Sequence, residues 1–133
     1  MNQSTSRIEK LKLMLIDMIG ERCLKTGEFT LASGAKSNYY IDMRKLCLYQ
    51  PATRPLLACL SWLLYGIEFD AVGGMATGAI PLTALVVHTA ESYLFNAHSE
   101  GGVLEGFWVR ETAKDHGTGS LIEGVESLKG KRV

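Results

Sequence analysis

The chain has 133 residues, of which 47% are hydrophobic and 21% are charged, so it can bury a core and is neither a disordered tail nor a low-complexity segment. Lysine and arginine number 14, as do aspartate and glutamate, which argues against a general nucleic-acid binder because such proteins need a basic excess. The first ten residues lack the apolar core of a secretory signal. The longest apolar stretch, residues 55–67, is shorter than the ~20 residues of a membrane span. We therefore expect no nucleic-acid partner and no membrane anchor.

The first 50 residues are predicted to form a helix followed by a β-hairpin. Residues 7–25 carry apolar residues at helical spacing behind a capping box of Ser6 and Glu9, and Gly27 is the expected stop. Residues 29–31 and 39–43 are two strand candidates joined by turn residues. The buried face of the helix is expected to consist of Ile8, Leu11, Leu15, Met18, Ile19 and Cys23.

Residues 51–133 alternate between predicted strands and helices. A helix from Pro51 to Gly66, a strand over 69–72, a helix over 80–93 and a strand over 104–109 follow one another, and residues 130–133 resemble the start of a further strand. This alternation predicts an α/β fold with a parallel sheet and flanking helices. Because the first 50 residues differ in kind, we expect them to form a separate part, divided from residues 51–133.

The three cysteines are Cys23, Cys47 and Cys59. Their number is odd and no pair has the spacing of a metal site. We therefore expect buried or partly buried free thiols, which are usual in a reducing cytoplasm.

Three segments have residue types suited to binding an anionic ligand, and each also has a purely structural interpretation. Residues 73–81 are a glycine-rich link between a strand and a helix, able to bind an anion or merely to turn tightly. Residues 110–119 place two cations, a histidine and two glycines beyond a strand's end, as a ligand-binding lid or as a solvated loop. Residues 31–40 combine Lys36 with aromatic side chains that suit a flat anionic ring, or form an ordinary hairpin turn.

In this order the three segments resemble the orotate phosphoribosyltransferases, which are type I phosphoribosyltransferases. The stretch 29–42 is similar to the family's amino-terminal signature, and the turn that runs through Pro81 is similar to its diphosphate-binding loop. The most specific match is to the mobile catalytic loop, with residues 121–124 fitting directly behind it. The matching loop residues are Arg110, Ala113, Lys114, Asp115, His116 and Gly117.

The resemblance implies a reaction of de novo pyrimidine synthesis. Orotate attacks C1′ of 5-phosphoribosyl 1-diphosphate (PRPP) in the presence of Mg²⁺, giving orotidine 5′-monophosphate and diphosphate. It also implies a cytoplasmic homodimer in which the loop reaches the neighbouring subunit's site, and a phosphoribosyltransferase-like sheet preceded by a hood formed by residues 1–50.

Residue roles follow from the same resemblance. Lys114 is the expected catalytic residue, which stabilises the charge that develops on the diphosphate. The expected donor-binding residues are Arg110, His116, Thr77 and Gly78, with backbone contacts from Met75 and Ala76 as well. The expected orotate-binding residues are Tyr40, Ile41 and Lys36.

The sequence also departs from the family pattern. Ala32 and Gly78 stand where some members carry lysine, and Glu111 stands where lysine is usual, which reverses a charge near the diphosphate. The family's acidic pair before a Thr/Gly-rich phosphate loop is missing, since no Asp-Asp pair occurs in the sequence. We therefore expect a core that is incomplete at the C-terminus, poor stability alone and negligible turnover.

Two alternatives stay open on the sequence. One is a non-catalytic phosphoribosyltransferase-like regulatory or interaction protein, which Glu111 and the missing acidic pair favour. The other is a small flavodoxin-like module that binds an anion, which the α/β pattern alone would allow.

Overall fold

The structure is a computed structural model that describes residues 3–90, 103–112 and 120–133, with side chains from residue 7 onward. The chain divides into two compact units, Met1–Cys59 and Leu60–Val133. Within the described ranges, no helix is both long and apolar enough to cross a membrane. The division at residue 50 stays a prediction.

The first unit begins with helix α1 (Gln3–Arg22). Its predicted apolar face is confirmed, since all six side chains on it are buried or half-buried while Leu13 and Ile16 are exposed. The predicted bounds are wrong at both ends. The helix starts before the Ser6 cap, and it stops at Arg22 because the next residues pair in a sheet instead of continuing the helix.

Strands β1 (Leu24–Thr30) and β2 (Lys36–Ile41) form the predicted antiparallel hairpin. Both strands are longer than predicted, and Gly27, the predicted helix stop, lies inside β1. The turn is closed by hydrogen bonds from Leu31 N–H to the Ala35 carbonyl (2.9 Å) and from Gly34 N–H to the Leu31 carbonyl (2.8 Å). Gly34 has φ +83°, a conformation that favours glycine.

After the hairpin come helix α2 (Arg44–Cys47), a 3-10 turn (Gln50–Ala52) and helix α3 (Thr53–Leu63), which spans the boundary between the units. The short helix α2 was not predicted, and α3 begins after Pro51 rather than at it. Cys23, Leu46, Ala52 and Leu57 are fully buried. The three thiols are free, as predicted, and burial raises the pKa of Cys59.

The second unit contains β3 (Ala71–Met75), α4 (Ile80–Thr89), β4 (Glu105–Val109) and β5 (Ile122–Glu123). Strands β3 and β4 are parallel, in register from Ala71 opposite Glu105 to Met75 opposite Val109, as the strand–helix–strand pattern predicted. The sheet order is β3-β4-β5. Strand β5, which was not predicted, adds an antiparallel pairing to this sheet at β4.

The last residues lie beside the beginning of β3 but are not in a strand, in contrast to the prediction for 130–133. The Arg132 carbonyl accepts hydrogen bonds from the N–H groups of Asp70 (2.8 Å) and Ala71 (3.1 Å). The Arg132 guanidinium in turn forms two hydrogen bonds with Asp70, at 3.0 and 2.9 Å, and also pairs with Glu68. The Arg132 side chain therefore links the last residues of the chain to the residues just before β3.

Candidate functional site

An open cleft of about 500 Å³ lies in the second unit, where β3 and β4 end. The two strands are parallel, so Met75 and Val109 bring their carboxyl ends to the same edge of the sheet, which is where α/β proteins bind ligands. The loop after each strand supplies part of the wall. The cleft is lined by Ala76, Thr77, Ile80, Trp108, Arg110, Glu111 and Thr112.

One wall of the cleft is the N-terminus of α4. Its N-cap residue is Ala79, whose side chain has no hydrogen-bond acceptor, and no side chain caps the first turn. The N–H groups of a first helical turn also have no partners within the helix. The N–H of Ala76 donates to the Val109 carbonyl (2.7 Å) and is therefore not free for a ligand. An uncapped helix start carries partial positive charge and favours an anion.

The glycine-rich segment is placed differently from the prediction. Gly73 and Gly74 lie inside β3, and the turn proper begins after Met75. A Cβ on Gly74 would lie 2.8 Å from the Cβ of Ala79, so glycine there lets the strand and the start of α4 approach closely. Thr77 lines the cleft, whereas the exposed Gly78 lies next to it without lining it. The peptide bond between Ala76 and Thr77 is cis.

Arg110, the residue directly after β4, is the cation in the described part of the cleft. Its backbone N–H donates to the Leu121 carbonyl (2.8 Å), and its Nη1 donates to Oε1 of Glu123 (3.0 Å). The buried Nε has no hydrogen-bond partner among the described residues. The side chain is 38% exposed, so a ligand can reach its outer edge.

Glu111 and Thr112 are exposed and line the same cleft. Glu111 therefore brings a negative charge beside Arg110, as its place in the sequence suggested. Lys114 and His116, the other predicted diphosphate ligands, lie outside the described residues, and their roles stay predictions.

The predicted orotate residues all lie on β2, in the first unit. Nζ of Lys36 donates to Oγ1 of Thr30 across the hairpin (2.9 Å), and the Tyr40 ring lies 5.8 Å from the Phe29 ring between centroids. Tyr40 and Ile41 are 39% and 43% exposed. A groove of about 650 Å³ on this hairpin includes Lys36 but neither Tyr40 nor Ile41; its lining residues are Glu28, Phe29, Lys36, Ser37, Asn38 and Tyr39.

Two features of the cleft were not anticipated from the sequence, Trp108 as a wall and Glu123 as the partner of Arg110. Strand alternation could have indicated Trp108, since it lies two residues before Arg110 and therefore shares its face. Glu123 lies in the stretch 121–124 that resembles the family, but β5 is only two residues long, so no alternation indicated that its side chain faces Arg110.

The described residues do not by themselves form a metal centre. Within 3–90, 103–112 and 120–133, no three His, Cys, Asp or Glu side chains are grouped so that they could hold a metal ion.

No family model matches the chain, but individual proteins do. It is 38% identical over 119 residues to the orotate phosphoribosyltransferase of Streptomyces coelicolor, covering 90% of this chain and 61% of that protein. It is 39% identical over 127 residues to the Pyrococcus furiosus orotate phosphoribosyltransferase, covering 92% and 62%. The chain is therefore similar to orotate phosphoribosyltransferases over about 90% of its own length. It spans about 60% of the length of these curated relatives.

A solved orotate phosphoribosyltransferase has the same fold. The structure from Mycobacterium tuberculosis in complex with Fe(III) dicitrate matches with a TM-score of 0.63 at 28% identity, covering 91% of this chain and 63% of that one. The same enzyme has also been solved with PRPP (TM-score 0.56, 24% identity, covering 87% and 57%). The expected resemblance to these enzymes and the α/β fold are thus confirmed. The roles of individual residues are not tested by these similarities.

Proposed function

We propose that the chain is part of an orotate phosphoribosyltransferase, which transfers the phosphoribosyl group of PRPP to orotate and yields orotidine 5′-monophosphate for UMP synthesis. Similarity to orotate phosphoribosyltransferases supports the reaction class. The observation that carries the proposal is the position of Arg110, fixed in a cleft at the carboxyl ends of β3 and β4, beside the uncapped start of α4.

The chemical requirement is stabilisation of a departing diphosphate. Negative charge accumulates on the diphosphate as its bond to C1′ breaks, and preorganised donors aimed at that charge lower the barrier. The Arg110 guanidinium offers a two-pronged donor, and the start of α4 adds the positive end of its dipole next to Thr77 and Gly78. Lys114 as the catalytic residue and His116 as a further diphosphate ligand complete this proposal.

For orotate we propose the hairpin of the first unit. Orotate is a flat anionic ring, which calls for an aromatic or apolar surface and a cation. Tyr40, placed against Phe29, and Ile41 are exposed for contact with the ring. Lys36, held by Thr30, supplies a positive charge on the same strand.

We further propose Mg²⁺, a homodimer and a cytoplasmic location. Mg²⁺ neutralises part of the diphosphate charge when bound. We propose that it arrives with the donor, since Mg²⁺ is usually bound through substrate phosphates together with only one or two carboxylates. Dimerisation is supported by the resemblance of residues 110–117 to a loop shared between subunits. Free thiols support a reducing compartment.

Calorimetric titration of the purified chain with PRPP tests the donor site. We expect binding that Arg110→Ala weakens about tenfold, since a charge-assisted hydrogen bond is lost. Lys129→Ala is the matched control, because it removes an exposed cation that does not line the cleft, and it should leave the affinity unchanged. Absence of PRPP binding, or equal weakening by both variants, would overturn the proposal.

Titration with orotate separates the enzyme from the non-catalytic alternative. An orotate site on the hairpin predicts binding that Tyr40→Ala weakens, whereas a regulatory protein has no need for orotate. A chain that binds PRPP but not orotate would favour the alternative.

A further inference from the structure

Glu123 faces Arg110 because of the register between β4 and β5. Trp108 lies opposite Glu123 and Val109 opposite Ile122 in this antiparallel pair. The N–H of Arg110 then continues the ladder to Leu121. In such a ladder, diagonal neighbours on one face are within reach of long side chains. The register thus places the Glu123 carboxylate beside the Arg110 guanidinium, on the face that Trp108 shares.

The contact is specific and partly shielded from water. Nη1 of Arg110 lies 3.0 Å from Oε1 of Glu123, and the two side chains are 38% and 23% exposed. An arginine side chain has many rotamers, and ordering it on binding a ligand costs free energy. A guanidinium that is already held at Nη1 loses less freedom when an anion binds its outer edge.

The backbone of β5 is itself fixed. Gly124, directly after Glu123, has φ +98°, and a Cβ there would lie 2.5 Å from the Gly106 carbonyl oxygen. Oγ of Ser120 accepts from the Ile122 N–H (3.2 Å) and donates to the Ile122 carbonyl (2.5 Å). The short strand therefore presents Glu123 from a rigid backbone.

We infer that Glu123 is a positioning residue, which holds the Arg110 guanidinium over the cleft in the orientation that receives an oxygen of the diphosphate. This inference rests on the proposed function, since it names the residue that prepares the donor site. Its proposed effect on the ligand is exerted through Arg110, so Glu123 is a positioning residue and not a catalytic one.

The carboxylate of Glu123 has two opposing effects on an anion. It orients Arg110, which favours binding, and it adds negative charge near the cleft, which opposes binding. Glu123→Gln removes the charge but keeps an oxygen that can accept from Nη1, whereas Glu123→Ala removes both. Because both variants lack the charge, the ratio of their affinities for an anion measures the contribution of the hydrogen bond that orients Arg110.

The test is calorimetric titration of the full chain with inorganic pyrophosphate, well below the unfolding temperature of each variant. We expect Glu123→Gln to bind at least as tightly as the unmodified chain, and Glu123→Ala roughly fivefold more weakly than Glu123→Gln. In an Arg110→Ala background the two Glu123 variants should bind pyrophosphate with equal affinity. If Glu123 only stabilised the fold, the difference between the two variants would persist without Arg110. If Glu123→Ala fails to fold, Glu123→Asp replaces it. This variant shortens the side chain by one methylene and is expected to bind pyrophosphate more weakly than Glu123→Gln.

The control is the same pair of replacements at Glu126, an exposed carboxylate outside the cleft, where the two affinities should be equal. The positioning role of Glu123 is overturned if its two variants bind pyrophosphate equally well, or if their affinities still differ without Arg110. Either result leaves the proposed function intact. If the unmodified chain does not bind pyrophosphate, the proposed function fails and the positioning role falls with it.

Discussion

Glu111 is the residue whose charge conflicts most directly with binding a diphosphate. It is exposed and lines the cleft beside Arg110. Glu111→Lys exchanges repulsion for attraction, and we expect it to tighten pyrophosphate binding by roughly tenfold at low ionic strength. The gain should shrink as salt is added, because charges in an open cleft are screened. Titration calorimetry at two salt concentrations measures both effects.

Glu126→Lys is the matched control for this prediction. It makes the same charge reversal at an exposed position of the same unit that does not line the cleft. Equal tightening by the two variants would mean that only net charge matters. Weaker binding by Glu111→Lys would contradict a diphosphate site at this position.

Arg110 and its contact with Glu123 differ in how far the sequence could reveal them. Arg110 was predicted, because it directly follows an apolar strand and opens a polar segment that resembles a known loop. Its partnership with Glu123 was not, because the contact joins residues 13 positions apart through a register that only the folded sheet establishes.

At the level of elements, the pairing of Asp70 with Arg132 fastens the last residues to the beginning of β3. The hydrogen bonds from the Arg132 side chain lower the pKa of Asp70 from 3.8 to about 2. Because the folded-state pKa lies below the unfolded value, this stabilisation is present above about pH 4 and is lost as the pH falls toward 2. Asp70→Asn should therefore flatten the dependence of the unfolding midpoint on pH in this window.

The measurement is thermal unfolding, followed by circular dichroism at several pH values between 2 and 7. Asp17→Asn is the control, since it replaces an exposed aspartate of α1 and should retain the pH profile of the unmodified chain. Identical profiles for Asp70→Asn and the unmodified chain would contradict the prediction.

The elements themselves show where periodicity succeeds and where it fails. The apolar stripe of α1 was predicted correctly, because burial of one face follows a local repeat. Its end was not, because Leu24 joins a strand opposite Ile41 and this long-range pairing overrides helical spacing. Strand β5 is too short to show any alternation in the sequence.

At the level of the whole molecule, the chain exposes much apolar surface. In the described ranges more large apolar side chains are exposed than buried, and Tyr65 and Leu63 are 83% and 61% exposed. Exposed apolar patches bind the dye ANS and weaken cooperative folding. We therefore expect the isolated chain to raise ANS fluorescence at 25 °C and to unfold in a broad transition at modest temperature.

Calorimetry together with light scattering checks this prediction. A monomer that unfolds in one sharp transition and leaves ANS fluorescence unchanged would contradict it. A relative of known activity, purified in the same buffer, provides the comparison for dye binding.

The sequence by itself indicated the resemblance to a known family, the α/β class, the hairpin and the candidate cations, because motifs, turn residues and local periodicity lie in consecutive residues. Only the tertiary structure decided that Thr77 and Arg110 line one cleft and that Glu123 forms a hydrogen bond with Arg110. Those relations depend on the register between strands and on the carboxyl ends of β3 and β4 lying at the same edge of the sheet. The register and the position of the strand ends are both set by pairing between segments that are distant in the sequence. The free energy of that pairing cannot be inferred from a local sequence pattern.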